Sequence, residues 1–552
     1  MSSSTAPRAL VDLSGRSPWS VLPPLCLGFF MIMVDMTIVN IAVPTLVREF
    51  GASIVDVGWV NSAYLLTFAV LLLVTGRLGD RFGPKPVFVV GLIVFTLASA
   101  WCGLAPTIGW LIVARAVQGV GGALMTPQTM AMITRVFPAQ SRGAALGIWG
   151  AVAGVATIAG PLLGGLLVET AGWEWIFFVN VPIGVLALVL AMRALPRLDT
   201  HSRQFDVLGM LLSIGGLFLL VFGLQEGSTY DWGTIRGPVT VWMVIATGVL
   251  VLLAFGWLQV RRGDDALLPM RLFRNRNFLL ANAGGASLGF AMVGIFFPFT
   301  LFLQVIVGLS PIRAALISLP GSLLSGFIAP AAGRLSDRVP PKWIVAFGFT
   351  AFTLSVVWLA LWIDADASPW RLLAPMALFG LGTGTVFSPL GNLATSGLDH
   401  RTAGAGAGAF NTNRQVGSVI GSAAIVALLT SRLGQEIPAA ATSAAAGLPE
   451  QVRQPFLDAM SSASVADFQG GGGDFQLPPG IPADVAEQLR TAALEAVHTG
   501  FASSVAQTLL LAAGMFVVGL IATLAMHATR PHEHAPAAPG EAVAPVPAAA
   551  PE

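Results

Sequence analysis

Three charged residues stand inside the long apolar stretches of this sequence: Asp35, Arg115 and Arg414. Desolvating a charge is costly, so an ionisable residue kept in an apolar run is a functional candidate by default. Asp35 is the sole carboxylate of the three. In such a place it can take up a proton from one side and release it to the other as its surroundings change. The other role open to it is that of a structural hydrogen-bond acceptor. Counted by helical rise, Asp35 lies about 12 Å and Arg115 about 10 Å from the same boundary of the apolar layer, so the two can meet. Arg115 divides between tuning Asp35 and pinning its own helix, and Gln118 and Gly119 follow on the same face. Arg414, about 15 Å into its run, lies among Asn411, Asn413 and Gln415 and reads equally as an anchor or a substrate contact. Asn40, Asn61, Tyr64, Gln118, Asn411 and Arg414 are the candidate cavity residues.

Other chemistries find no residues. Cys26 and Cys102 lie inside apolar runs without metal spacing, so neither a disulfide nor a metal site is expected. The two lysines, Lys85 and Lys342, are not followed by Ser or Thr, which removes the GKS/GKT phosphate loop and with it that mode of ATP binding. All six His fall in connecting segments or the tail, leaving no buried imidazole to partner a nucleophile. A net charge of +1 with dispersed basic residues excludes binding nucleic acid by phosphate neutralisation.

The elements that carry these residues belong in a bilayer. Charged residues are 10 % of 552 positions and apolar residues 55 %, with a mean hydropathy of +0.78, too apolar for soluble domains to cover with polar surface. Fourteen runs reach the length of about 20 residues that crosses a bilayer as helix. They are 21–42, 57–75, 87–106, 109–133, 144–168, 175–192, 207–224, 239–260, 278–304, 314–332, 343–363, 372–396, 404–430 and 503–526. An even number puts both termini on one side. With that side cytoplasmic, twenty of the 29 Lys and Arg lie in cytoplasmic segments and seven outside, as the positive-inside rule requires.

An internal repeat gives the order of the parts. The loop after span two, G-R-L-G-D-R-F-G-P-K (Gly76 to Lys85), matches the loop after span ten, G-R-L-S-D-R-V-P-P-K (Gly333 to Lys342), at seven of ten positions. Equivalent loops on one side imply a parallel duplication of a six-helix unit. The offset of eight spans then requires two inserted helices. The expected organisation is a cytoplasmic tail over 1–20, a six-helix half over 21–193, two inserted helices with loops over 194–277 and a second half over 278–527. That second half includes an external loop, 431–502, read as a flexible linker joined to a helix at 483–498, and a disordered tail follows over 528–552. An Asp beside an Arg in each loop reads as a charge network that forms and breaks, as a gate latch would. Gly150, Gly154, Gly160 and Gly164 in span five, with Pro161, permit close helix packing.

Four further segments carry a resemblance. They are V-D-M-T-I-V-N-I-A-V-P (Val34 to Pro44), L-I-V-A-R-A-V-Q-G-V-G-G-A (Leu111 to Ala123), G-V-A-T-I-A-G-P-L-L-G-G (Gly154 to Gly165) and W-E-W-I-F-F-V-N-V-P-I-G (Trp173 to Gly184). With the loop repeat, they resemble the major facilitator superfamily. The count of fourteen points to its drug:proton antiporter branch of the EmrB/QacA type. The resemblance implies an all-α membrane protein with the major facilitator fold, 14 transmembrane helices as six, two and six, with both termini cytoplasmic, in a bacterial inner membrane. It implies a proton-coupled multidrug or secondary-metabolite exporter working by alternating access, powered by the proton gradient with no cofactor. Asp35 and Arg115 would couple protons. Gly76, Gly79, Asp80, Arg81, Gly83, Lys85, Asp337 and Arg338 would form the gate loops, and Gly154, Gly160, Pro161 and Gly164 the antiporter motif in a tight seam between the halves. Two departures are Glu174, where the family has a basic residue, and Pro340, which replaces a Gly and predicts a weaker second latch. The expected partners are small amphipathic substrates, protons and membrane lipids, with the chain monomeric. Proton-coupled nutrient uptake, export of a lipid or endogenous metabolite, and a non-transporting sensor or channel are the rival readings.

Overall fold

The computed structural model describes residues 17–528 except 53, 199–205, 228, 264–265, 365–367, 396–397, 399–402 and 463–482. The N-terminal half is α1 (Leu22–Phe50), α2 (Ile54–Phe82), α3 (Pro84–Gly103), α4 (Ile108–Val136), α5 (Ala139–Thr170) and an interrupted sixth element, α6 (Trp175–Phe178) with α7 (Asn180–Ala194). Then comes a helical hairpin, α8 (Val207–Glu226) and α9 (Val241–Arg262), joined by the short antiparallel strands β1 (Thr234–Arg236) and β2 (Val239–Thr240). The C-terminal half is α10 (Arg276–Val305), the interrupted α11 (Pro311–Ile317) and α12 (Leu319–Ser336), α13 (Pro341–Trp362), α14 (Leu373–Thr395), α15 (Ala403–Ala444), α16 (Glu450–Ser462) and α17 (Ala483–Ala525). Among the described residues, twelve helical segments are long and apolar enough to cross a membrane; α5 and the α11–α12 pair are not among them.

Prolines set the two interruptions. Pro182 and Pro320 each lack the N–H that the helix needs and crowd the carbonyl four residues back, so the ladder breaks near Val179 and Ser318. Both breaks matter for function, because they free Asn180 and Ser318 at helix starts. The C-terminal half is cored by rings: Phe352 stacks on Phe516 at 4.4 Å and lies 4.9 Å from Phe379.

The halves meet along two seams, α2 against α15 and α5 against α12 and α14. The α8–α9 hairpin stands against the first seam, packing through α8 on α2 and α15. Asp206 anchors this hairpin, capping α8 at Gly209 N (2.7 Å) and accepting from Gln259 Nε2 (2.8 Å) and Arg262 Nη1 (2.6 Å).

The expected external linker is largely helix in its described part. α15 runs on to Ala444 and α17 begins at Ala483, because Ala-rich stretches are strong helix formers and Ile437, Ala441, Leu448, Phe456, Met460 and Leu489 bury one another there. The G-G-G-G and L-P-P-G segments, Ser2 to Arg16 and the tail from residue 529 lie outside the described residues.

Candidate functional site

Asp35, midway along α1, is fully buried and ion-paired to Arg115 of α4. The next turn of α4 brings Gln118 alongside, as the three-residue spacing requires. Gln118 Nε2 donates to Asp35 Oδ1 at 2.8 Å, while its Oε1 accepts from Arg115 Nη1 at 2.9 Å. The guanidinium is held further by Nε donating to the Val60 carbonyl of α2 at 3.0 Å and by the Tyr64 ring, whose centre lies 4.3 Å from Cζ. A second layer was not legible beforehand. Asn180, freed at the start of α7, donates to Ser99 Oγ at 3.1 Å and to Asp35 Oδ1 at 3.5 Å, and Ser99 donates to the Phe177 carbonyl at 2.9 Å. The signal for it was the N-V-P triplet at Asn180 to Pro182, in which proline ends one helix and starts another. Arg115 Nη2 and Tyr64 Oη are buried with no hydrogen-bond partner among the described residues. The centre therefore holds two opposite charges in a buried interior, with two polar atoms unpaired among the described residues. Removing one charge from such a pair costs about 3–5 kcal/mol, so its arrangement depends on whether Asp35 carries a proton.

The repeated loops lie at one end of the molecule, and each reaches the opposite half. Asp80, at the end of α2, accepts from Arg135 of α4 at 2.9 Å and from the backbone N–H of Ala405, in the first turn of α15, at 3.0 Å. Asp337, just past α12, accepts from the backbone N–H groups of Gly143 (2.8 Å) and Ala144 (3.1 Å), in the first turns of α5. Carboxylates at helix N-termini are favoured by the helix dipole. The first latch combines an ion pair with one amide, and the second uses two amides despite Pro340. Burial pushes the Asp337 carboxyl up to about 6, against the pull of those two amides and the nearby Arg142.

The two lysines do something else. Lys85 donates to the carbonyls of Met192 (3.0 Å) and Leu195 (2.5 Å), and Lys342 donates to that of Met526 (2.8 Å). Each thus caps the end of the last helix in its own half, which is a bond within a half and not across the gate. Arg81 and Arg338 are exposed. Gly83 takes φ +88° to turn the chain from α2 into α3. Gly76 lies against Gly408 of α15, and Gly79 against the Gln128 side chain.

Two of the expected glycines, Gly150 and Gly154, face the opposite half, at Ser388 of α14 and at Ser322 and Ser325 of α12, and the tightest contacts of the seam are made by others. Gly143 of α5 meets Gly333 of α12 backbone to backbone, and Gly147 packs on Ala329 and Pro330. Gly160 and Gly164 face Thr37, Val34 and Ile38 of α1, inside the N-terminal half. Small residues at four-residue spacing permit close packing but do not choose the neighbour. Gly154 also borders a cleft between α5, α10, α12 and α14. Nor do the expected cavity residues converge there. Tyr64 and Gln118 belong to the Asp35 centre, and Asn411 is buried and donates to the Ala407 carbonyl of its own helix at 2.9 Å. Asn61 is partly buried on α2, and Arg414 Cζ lies 5.9 Å from the centre of the Phe387 ring, which lines the cleft. The side chains of Asn40 and Pro161 lie outside the described ones.

Two six-helix halves that latch at one end through repeated loops describe a transporter built by duplication, and the model of the Major Facilitator Superfamily matches residues 25–422. The chain belongs to the major facilitator superfamily. As a member it is a multi-pass membrane transporter and not an enzyme. An MFS-type transporter of Mycobacterium tuberculosis is 45 % identical over 455 residues, covering 81 % of this chain and 78 % of that protein. The tetracenomycin C resistance and export protein of Streptomyces glaucescens is 32 % identical over 530 residues, covering 95 % and 94 %. The solved proton:xylose symporter XylE shares the major facilitator fold, with a TM-score of 0.54 at 15 % identity over 73 % of this chain and 87 % of that one.

Proposed function

We propose that this superfamily member is a proton-coupled exporter of amphipathic compounds working by alternating access. It would span a bacterial cytoplasmic membrane fourteen times, as six, two and six helices, with both termini cytoplasmic. The observation that carries the reading is the Asp35–Arg115 pair, sealed within one half while both halves are latched at one end. In the latched state Asp35 is ionised and its charge is answered by Arg115 and Gln118. A proton arriving from the outer side neutralises Asp35 and leaves the guanidinium without its counter-charge. The arrangement of α1 and α4 is then no longer favoured, and the halves rock to the opposite state. The two latches make that rocking cooperative, since each joins one half to the other. Export direction is supported by the resistance and export protein of Streptomyces glaucescens, which aligns over nearly the whole chain. The largely apolar lining of the cleft supports amphipathic cargo.

The test is transport by the purified protein in liposomes with an imposed pH gradient. An amphipathic fluorescent dye is expected to accumulate against its own gradient and to be released when a protonophore collapses the pH difference. Dye movement at the same rate with no pH gradient, or ionic conductance, would overturn the reading in favour of a facilitator or a channel.

A further inference from the structure

We propose that the cleft between α5 and the C-terminal half receives the aromatic body of a planar organic anion, with Arg414, beside its Phe387 wall, as the counter-charge. The proposal deepens the exporter reading and rests on it for the direction of movement, though not for binding. The cleft lies between α5 of one half and α10, α12 and α14 of the other. Phe296 of α10 and Phe379 and Phe387 of α14 supply ring surface, the first two meeting edge to face at 5.7 Å. One wall differs in chemistry. Ser318, Ser322 and Ser325 recur at four- and three-residue spacing along α12, which places three hydroxyls in one stripe along the cleft. Ser325 is 1 % exposed, and its Oγ has no partner among the described residues, a donor and acceptor left for a ligand.

Arg414 supplies the sign of the charge. It is partly buried on α15 and stands beside Phe387, a wall of the cleft. Arg115, Arg135 and Arg262 each have a carboxylate, whereas no described residue offers Arg414 one. Its neighbours are committed elsewhere: Asn411 donates to Ala407, and Asn413 donates to the Asn282 carbonyl at 2.7 Å. No acidic residue lines the cleft, and Asp35 is already answered by Arg115. Arg414 stands behind the Phe387 ring and not in the cleft lining, so a cation seated against that ring has one guanidinium beyond it and no acidic lining residue to offset it. A carboxylate or phenolate that extends past Phe387 forms charge-assisted hydrogen bonds with that same group and neutralises its charge.

Equilibrium dialysis with the purified full-length protein in lipid nanodiscs at neutral pH tests this, using three probes on one ring: 9-anthracenecarboxylate, 9-anthracenemethanol and (9-anthracenylmethyl)trimethylammonium. The carboxylate is expected to bind about tenfold or more tighter than the alcohol, with the ammonium weakest. Arg414→Gln should remove the carboxylate's advantage while leaving the alcohol unchanged, and Arg414→Lys should keep part of it. Ser325→Phe, which fills the cleft, should abolish binding of all three. Equal affinities for the three probes would overturn the proposal, as would an Arg414→Gln protein that keeps the wild-type ratio or binding that survives Ser325→Phe. Should Arg414→Gln not fold, the Arg414→Lys protein decides by whether it still ranks carboxylate over ammonium. No proton gradient is present, so failure of the exporter reading shows only in liposome flux and failure of the charge preference only in dialysis.

Discussion

Replacing Gly333 by Val should push the two halves apart at the latched end. A Cβ built on Gly333 meets the Gly143 carbonyl oxygen, and one built on Gly143 meets the Gly333 carbonyl oxygen, both closer than real side chains approach. Both partners are backbone, so no rotamer change relieves the overlap. Over-packing of this kind costs about 1–3 kcal/mol. It is felt only in the state where α5 and α12 touch, whereas the change in helix propensity is felt in both states and cancels. The closed-to-open ratio should therefore fall by about 5–150-fold. Ser388 is a suitable reporter: it is 1 % exposed, its Oγ donates to the Gly143 carbonyl at 3.4 Å, and Ser388→Cys is nearly isosteric. In a background carrying Cys26→Ser and Cys102→Ser, labelling of the new thiol by a charged maleimide reads how often the seam opens. Labelling by the Gly333→Val protein should quicken by that factor. A folded Gly333→Val protein that labels at the parent rate would refute the idea that this seam opens and closes.

Three further outcomes follow from the same geometry. The Asp337 carboxyl, raised by burial from 3.8 to about 6, binds a proton more tightly when latched than when exposed. Latching should therefore strengthen as pH falls from about 7 to about 4, and Asp337→Asn should flatten the profile; Ser388→Cys labelling that rises as pH falls contradicts this. Gln118→Leu removes donors and acceptors from both charges of the Asp35 centre and should slow proton-driven transport by about tenfold or more with substrate binding kept; unchanged turnover would make Gln118 a spectator. A pump-deficient host expressing the protein should gain little protection from bis-quaternary compounds relative to matched mono-quaternary ones, because Asp35 is the sole carboxylate in the apolar runs and is already paired. Stronger protection against the divalent member would show that a second acidic group takes part.

Much of this was legible in the sequence, for physical reasons that also mark where legibility stopped. The depth of Asp35 and Arg115 follows from helical rise alone, and Gln118 had to share a face with Arg115. The paired loops point to a duplication because two ten-residue segments share seven residues at the same places. Which neighbour a small residue touches is not legible in the sequence: Gly150 and Gly154 face the opposite half, whereas Gly160 and Gly164 face α1. Lys85 ends the loop motif, but a long flexible amine can reach unpaired carbonyls in several directions, and it donates to those at the end of α7. The serine stripe of α12 stands at helical spacing but does not mark a site by itself, since hydroxyls in an apolar helix so often bond their own backbone. The role of Asn180 is not legible in the sequence, because it depends on a break that only the tertiary structure places beside Asp35.

The central claim is that Asp35 carries the proton. Liposomes holding a pH-sensitive dye and either the wild-type protein or Asp35→Asn, given a transported amphipathic compound, report it directly. Wild-type liposomes should show compound-dependent proton movement, and Asp35→Asn liposomes none, while equilibrium dialysis shows that the variant still binds the compound. Proton movement at the wild-type rate through Asp35→Asn would contradict the account.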